Sequence, residues 1–175
     1  FRESSNNIFN FAIINIHGNE SSGFAIYGSS IDNKFYDSII RVNEPLSKEA
    51  IFSVDAVGNT DLINVALLNN RFQFYSAVNG LKSAAGINIY WHTDIHVSDL
   101  IDNPISNAEV KAYDNNRDLV FSVLTDKNGK IPQKNLLFKI YTIEDTNSLA
   151  YEIEIVHPNY LSKIQMLDGI EKNIN

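Results

Sequence analysis

The chain has 175 residues, a length that suits one ordinary domain or two small ones. A hydrophobic fraction of 44% and a charged fraction of 20% favour a folded protein with a packed core over a disordered chain. The net charge of −7 argues against a nucleic-acid partner, and the lack of cysteine excludes disulfides, cysteine-ligated metals and thiol nucleophiles.

Asparagine and isoleucine are the two commonest residue types, and they occur in equal numbers. Isoleucine fits a half-buried sheet surface, and asparagine tolerates turn conformations that most side chains avoid. No apolar run approaches the roughly 20 residues that a membrane-spanning helix requires. The composition therefore predicts an all-β protein with no membrane span in this chain.

The first half of the chain repeats itself with a period of about 27 residues, which lies in the range of stacked-repeat proteins. Phe9, Phe35 and Leu62 occupy equivalent positions in three similar apolar segments, and a fourth step lands on Ile89. A secondary apolar run around Phe24 recurs one period later. Such a period is typical of the coils of a right-handed parallel β-helix, in which stacked strands bury aliphatic side chains and asparagine fills the turns.

Residues 1–89 are therefore predicted to form about three coils of such a β-helix. The alternative is a set of unrelated hairpins in an ordinary sandwich. The chain starts at Phe1 rather than at a methionine, and its first residues resemble the turn of a repeat, which predicts a fragment of a longer protein. Because the first coil lacks a visible polar cap, we expect its strand edge to meet protein neighbours or further chain.

The second half changes to strict alternation and tight turns. Ala108, Val110 and Ala112 share one face of a predicted strand, and Tyr151 begins another that alternates with glutamates. The Asn-Gly pair at Asn128 predicts a two-residue hairpin of type I′. Six or seven short strands at this spacing favour an antiparallel β-sandwich over residues 90–175.

Three motifs in this half resemble the carboxypeptidase-regulatory-like family, whose transthyretin-like sandwiches carry P-I-x-x-A-x-V and T-D-x-N-G. The motifs are Pro104-Ile105-Ser106-Asn107-Ala108-Glu109-Val110, Thr125-Asp126-Lys127-Asn128-Gly129 and His157-Pro158-Asn159-Tyr160. Asn107 stands where a glycine is commoner, and asparagine is a left-handed substitute for it.

The first half resembles, more distantly, the NosD-type carbohydrate-binding and sugar-hydrolase β-helix family. Together the two resemblances imply a β-helix followed by an immunoglobulin-like or transthyretin-like β-sandwich. This arrangement is typical of secreted and surface-layer-like proteins, so they also imply an extracellular or cell-surface location.

Candidate metal ligands are few. His92 and His96 are spaced as His-x-x-x-His, which on a helix would bring both imidazoles to one metal. The neighbouring residues favour a strand instead, on which the two rings would lie about 13 Å apart, too far for one ion. Asp126 and Asn128 are weak candidate calcium ligands, because turn hydrogen bonding explains both without a metal and no EF-hand-like ligand series is present. We therefore predict no cofactor, with calcium as the candidate exception and metal handling as an alternative role that the NosD resemblance implies.

Two further features bear on glycans. Tyr90 and Trp91 are candidates for stacking on a sugar, although the role that we favour is a wedge of the sandwich against the last coil. Asn19 lies in the sequence Asn-Glu-Ser, a candidate glycosylation site in an exported protein.

No catalytic constellation is visible. Glu152 and Glu154 would lie about 7 Å apart on one strand face, a spacing that could suit an inverting glycosidase but is also typical of a solvated strand. We predict a non-catalytic structural or adhesive module of an extracellular or cell-surface assembly. The alternative is a carbohydrate-binding or accessory module of a polysaccharide-active enzyme.

Overall fold

The structure is a computed structural model that describes residues 5–16, 22–27, 32–42, 49–54, 59–68, 72–75, 86–142 and 145–168. Within these residues the protein is all-β and contains no helix. Accordingly, no helix among them is long and apolar enough to cross a membrane. The prediction of an all-β protein is confirmed.

The strands of the first half are short. They are β1 (Ile8–Asn10), β2 (Ile13–Ile16), β3 (Ser22–Tyr27), β4 (Asn33–Tyr36), β5 (Ile39–Val42), β6 (Glu49–Val54), β7 (Asn59–Ile63), β8 (Ala66–Leu68) and β9 (Phe72–Tyr75). The strands of the second half are longer on average. They are β10 (Gly86–Thr93), β11 (Glu109–Tyr113), β12 (Leu119–Leu124), β13 (Lys134–Tyr141), β14 (Thr146–Ser148), β15 (Tyr151–His157) and β16 (Tyr160–Leu167).

The chain divides into two compact units. The first takes the chain up to Trp91 and the segment Lys139–Asn147, and the second takes His92–Phe138 and the described residues from Ser148 onward. Strands β10 and β13 each contribute residues to both units.

Strands of the first unit pair in parallel with the strand one repeat further along the chain. Phe9 lies opposite Phe35, Phe35 opposite Leu62, and Leu62 opposite Ile89. The orders β2-β5-β8 and β3-β6-β9 continue the same pattern in two further sheets. The register that the repeat predicts is therefore confirmed.

Strand β9 is the exception to this regular register. In the pairing of β3 with β6, Phe24 lies opposite Ile51, which is one full repeat later. In the pairing of β6 with β9, Ile51 lies opposite Phe72, which is a shorter step along the chain. β9 therefore still pairs with β6 in the order β3-β6-β9, although fewer residues separate these two strands.

Alternation along these strands builds the core of the first unit. Phe35, Leu62 and Ile89 are buried in one column, and the ring of Phe9 stacks on that of Phe35 with centroids 4.7 Å apart. Successive side chains of a strand point to opposite faces, and in β4 the buried Asn33 and Phe35 accordingly alternate with the half-buried Lys34 and Tyr36. Fully burying one such aliphatic side chain stabilises the fold by about 1.5 to 3 kcal/mol.

A left-handed residue follows the first strand of each repeat. Phe11, Asp37 and Asn64 have φ angles of 55°, 46° and 52°. Asparagine and aspartate tolerate this conformation, whereas for a bulky residue such as Phe11 it costs roughly 1 to 2 kcal/mol. Asn64 also donates through Nδ2 to Asp37 Oδ1 over 2.6 Å, so side chains bridge neighbouring repeats at the turn.

The second unit contains an antiparallel sheet in the order β12-β11-β15-β16. Val110 and Ala112 lie opposite Ile155 and Ile153, and the inner face that they share is buried at Val110, Ala112 and Ile153. The predicted alternation of these strands is confirmed. Asn107 has a φ of 57°, so it occupies the left-handed conformation expected of a glycine substitute.

The predicted type I′ hairpin at Asn128-Gly129 is wrong. Gly129 has a φ of 71°, but Asn128 has no positive φ, whereas a type I′ turn requires two. The Gly129 amide donates to the carbonyl of Asp126, and the amide of Asp126 donates to the carbonyl of Lys130, which closes a five-residue turn with one left-handed position. The strands on either side also belong to different sheets, because β12 pairs with β11 and β13 lies beside β10.

Candidate interaction surfaces

The two histidines of the His-x-x-x-His pattern have different neighbours. Strand β10 ends at Thr93, so it includes His92 but stops short of His96. His92 Nδ1 lies 2.7 Å from the Oδ1 of Asn135, whereas His96 forms an isolated bridge with Lys130. The continuous strand expected from the sequence is therefore shorter than predicted.

Asp126 and Asn128 lie together in one turn, where the carboxylate binds backbone. Asp126 Oδ1 accepts the amides of Asn128 and Lys130 at 2.8 and 2.9 Å. The pKa of Asp126 lies below its ordinary value, chiefly because of the hydrogen bond from the Lys130 amide. In the part of the chain that the structure describes, no three histidine, aspartate or glutamate side chains are grouped as a metal site would need.

The same turn occurs three times in the second unit, a relation that the sequence reading missed. It begins at Asp99, Asp114 and Asp126, each of which accepts two backbone amides through Oδ1. The fourth position is left-handed in every case. The sequence signal is an aspartate at the first position, but a glycine marks the fourth position only in the third turn.

Tyr90 and Trp91 are adjacent in β10 and therefore point to opposite faces of the strand. Both are half-buried. The pKa of Tyr90 is raised, first by burial and then by the negative charge of Asp61. Tyr90 therefore lies on the same face of the strand as Asp61. Trp91 lies on the opposite face, so the two rings cannot stack side by side on one sugar.

Asp61 links three repeats on the face of these strands opposite to that of Phe35, Leu62 and Ile89. It lies opposite Lys34 and Asn88 in the parallel registers, with Lys34 Nζ 3.8 Å from Oδ2 and Asn88 Nδ2 donating to Oδ1 over 3.0 Å. The candidate glycosylation residue Asn19 lies outside the described residues.

A charged cluster occupies the outer face of the antiparallel sheet. Lys111 Nζ lies 3.1 Å from Glu109 and 3.9 Å from Glu154, and the Tyr113 hydroxyl donates to Glu154 over 3.2 Å. The Ser122 hydroxyl donates to Glu109 over 2.8 Å. This hydrogen bond, followed by that from Lys111, lowers the pKa of Glu109, and the same glutamate raises the pKa of Lys111. The predicted solvated glutamate face therefore carries a cross-strand ion-pair network.

Glu152 completes this face, with Oε1 2.8 Å from Nη2 of Arg117. Arg117 occupies the left-handed position of the second aspartate-headed turn. Both glutamates of β15 therefore hold basic or hydroxyl partners from neighbouring elements.

Apolar side chains are exposed at one end of the first unit. Strands β1, β2 and β3 are the terminal strands of their sheet orders among the described residues. Ile8, Phe11 and Ile13 on this side are 61%, 77% and 65% exposed. We call these three strands and three side chains the first-repeat edge.

A second exposed stretch lies at one end of the antiparallel sheet. Strand β16 is terminal in the order β12-β11-β15-β16, and its residues are exposed from Tyr160 to Met166. Leu161, Ile164 and Met166 are 97%, 58% and 55% exposed, and they include residues from both faces of the strand. We call this strand the β16 edge.

No protein-family model matches the chain, and no curated protein or solved structure is significantly similar to it. The two family resemblances therefore rest on the sequence motifs themselves.

Proposed function

We propose that this chain is a non-catalytic structural or adhesive module of a cell-surface or extracellular assembly, joined to protein neighbours through the first-repeat edge. The observation that carries the proposal is the exposure of Ile8 in β1, Ile13 in β2 and Phe11 in the turn between them, beside the terminal strands of two sheets. Strand edges offer backbone donors and acceptors to a further strand, and exposed apolar side chains beside them favour protein contact.

The next repeat indicates how a neighbour would fit. Lys34, Asp37 and Ile39 are the equivalents of the three exposed residues one repeat later, and all three are half-buried. Where a further layer of strands lies alongside, as β1 and β2 lie beside β4 and β5, the equivalent positions are therefore half-buried rather than exposed. We expect a protein neighbour to supply an equivalent layer to the first-repeat edge.

The proposed architecture is a right-handed parallel β-helix over residues 1–89, followed by an immunoglobulin-like or transthyretin-like sandwich over residues 90–175. The parallel registers, in which each strand pairs with its equivalent one repeat later, support the first part. The antiparallel order β12-β11-β15-β16 supports the second. Stacked repeats of this kind grow by adding equivalent layers, which suits a module of an assembly.

A structural role also agrees with the bonds of the acidic side chains. Asp126 binds the amides of its own turn, Glu154 binds Tyr113 and lies near Lys111, and Glu152 binds Arg117. These carboxylates are used to hold strands and turns in place.

The proposal is tested by photo-cross-linking in cells that carry the native assembly. Replacing Phe11 with benzoylphenylalanine is expected to give a discrete protein adduct on the cell surface. The matched control places the same residue at Leu100, a fully exposed position in an aspartate-headed turn, where no such adduct should form.

Equal protein adducts at the two positions, or none at either, would contradict the proposal. An adduct to glycan alone at Phe11 would instead favour a carbohydrate-binding module.

A further inference from the structure

The β16 edge has the features of a strand that pairs with another strand. It is eight residues long, lies at the end of its sheet among the described residues, and exposes apolar side chains on both faces. Proteins usually shorten, charge or cover such an edge, because it otherwise pairs with a further chain. Lys163 is the one charged residue of this strand.

We infer that β16 pairs antiparallel with β16 of a second copy of this chain, about a two-fold axis centred on Ile164. This interface lies in the second unit and does not rest on the proposed function of the first-repeat edge. The dimer is isologous, since each copy offers the same strand to the other.

Symmetry restricts the registers that two copies of β16 can adopt. Directly opposed residues of an antiparallel pair point to the same face, so a two-fold axis perpendicular to the sheet must pass between one residue and its own copy. For a strand that runs from Tyr160 to Leu167, the registers centred on Lys163 and on Ile164 each pair seven of the eight residues. Every other centre pairs fewer.

Charge decides between these two registers. Centring on Lys163 places two ammonium groups directly opposite one another, which is destabilising. Centring on Ile164 places Ile164 against its own copy and Lys163 against Gln165, so no like charges oppose each other. The sequence of the strand is therefore complementary to itself in the register centred on Ile164.

The same register groups apolar side chains on both faces. Leu161 lies opposite Leu167 of the second copy on one face, and Met166 lies beside the Ile164 pair on the other. Seven opposed pairs of an antiparallel ladder provide about six to eight backbone hydrogen bonds. The two four-stranded sheets become one continuous sheet of eight strands.

The register is tested by single cysteine substitutions, which are clean probes because the chain has no cysteine. Ile164→Cys places two thiols directly opposite each other, within reach of a disulfide after small adjustment. Lys163→Cys is the matched control, because its thiol lies diagonally from its copy at about 7 to 8 Å between Cα atoms, too far for a disulfide. We expect the covalent dimer of Ile164→Cys to form at least about tenfold faster under mild oxidation.

Sedimentation equilibrium provides the independent measurement. The unmodified chain is expected to reach twice its monomer mass, and Ile164→Lys is expected to weaken the dimer at least about tenfold because it opposes two ammonium groups. Leu100→Lys should leave the dimer unchanged.

A strictly monomeric chain would overturn the inference, as would a dimer unaffected by Ile164→Lys or equal cross-linking of the two cysteine variants. None of these results would bear on the proposed function of the first-repeat edge, which is tested separately by cross-linking at Phe11.

Discussion

Three aspartates fix the backbone of the second unit by heading the same five-residue turn. In each turn the carboxylate takes two amides and the fourth residue, which is Asp102, Arg117 or Gly129, adopts a left-handed conformation. The sequence predicted a turn beside Asp126 from its Asn-Gly neighbours. It could not predict that the turns share one form, because aspartate, arginine and glycine at the fourth position have no common side-chain signature.

Gly129 is the position in these turns that tolerates a side chain least. A Cβ there would lie 2.3 Å from the carbonyl oxygen of Val97, and its φ of 71° disfavours any L residue. Gly129→Ala is expected to lower the free energy of unfolding by about 2 to 4 kcal/mol. Urea unfolding measures the change.

The matched control for this prediction is Asp102→Gly, at the equivalent position of the first turn. It should change the free energy of unfolding by no more than about 1 kcal/mol, since glycine accepts the same φ. An equal loss in both variants would contradict the steric explanation.

The turn carboxylates also make stability depend on pH. Hydrogen bonds from the Asn103 side chain and from two backbone amides lower the pKa of Asp99, and the amide of Lys130 is the main cause for Asp126. A lowered folded-state pKa stabilises the fold above the unfolded pKa of about 3.9, and this contribution is lost as pH falls through the folded value. Asp126→Asn should therefore show a smaller fall in urea midpoint between about pH 5 and pH 2.

Lys127→Gln changes the charge of the same turn without removing a carboxylate and should retain the steeper acid dependence. Identical acid profiles for the aspartate variant and the unmodified chain would refute the assignment.

At the scale of strands, the first unit is held by columns of equivalent residues. The inner column was predictable, because Phe9, Phe35, Leu62 and Ile89 recur at a nearly constant spacing. The outer column was not, since Lys34, Asp61 and Asn88 share no residue type and are related only by register. β9 departs from the spacing, since Phe72 follows Ile51 by a shorter step than the one that separates the other equivalents.

The outer column predicts a coupling between Asp61 and Tyr90. Burial and the charge of Asp61 both raise the pKa of Tyr90, so Asp61→Asn should lower this pKa while leaving it above its ordinary value. Ultraviolet titration of the phenolate measures the shift, with Tyr90→Phe identifying the signal among the eight tyrosines. Glu109→Gln, on the second unit, should leave the Tyr90 titration unchanged. No shift in the Asp61 variant would show that the register places the two residues too far apart.

At the scale of the whole molecule, each unit exposes the terminal strand of a sheet. Hydrophobic alternation predicted most strands, because it reflects burial within one chain. The exposure of Ile13 and Ile164 could not be predicted in this way, since both residues continue an apolar pattern that elsewhere marks core. Only the position of their strands at the end of a sheet distinguishes them from residues of the inner strands.

We have proposed that the first-repeat edge joins this chain to a protein neighbour. Amide hydrogen exchange of β1 and β2 tests it most directly, by comparing material that retains its native surface neighbours with dilute purified chain. These amides are expected to exchange at least about tenfold more slowly in the assembled material, with the turn that begins at Asp114 unchanged. Equal exchange of β1 and β2 in the two samples would contradict it.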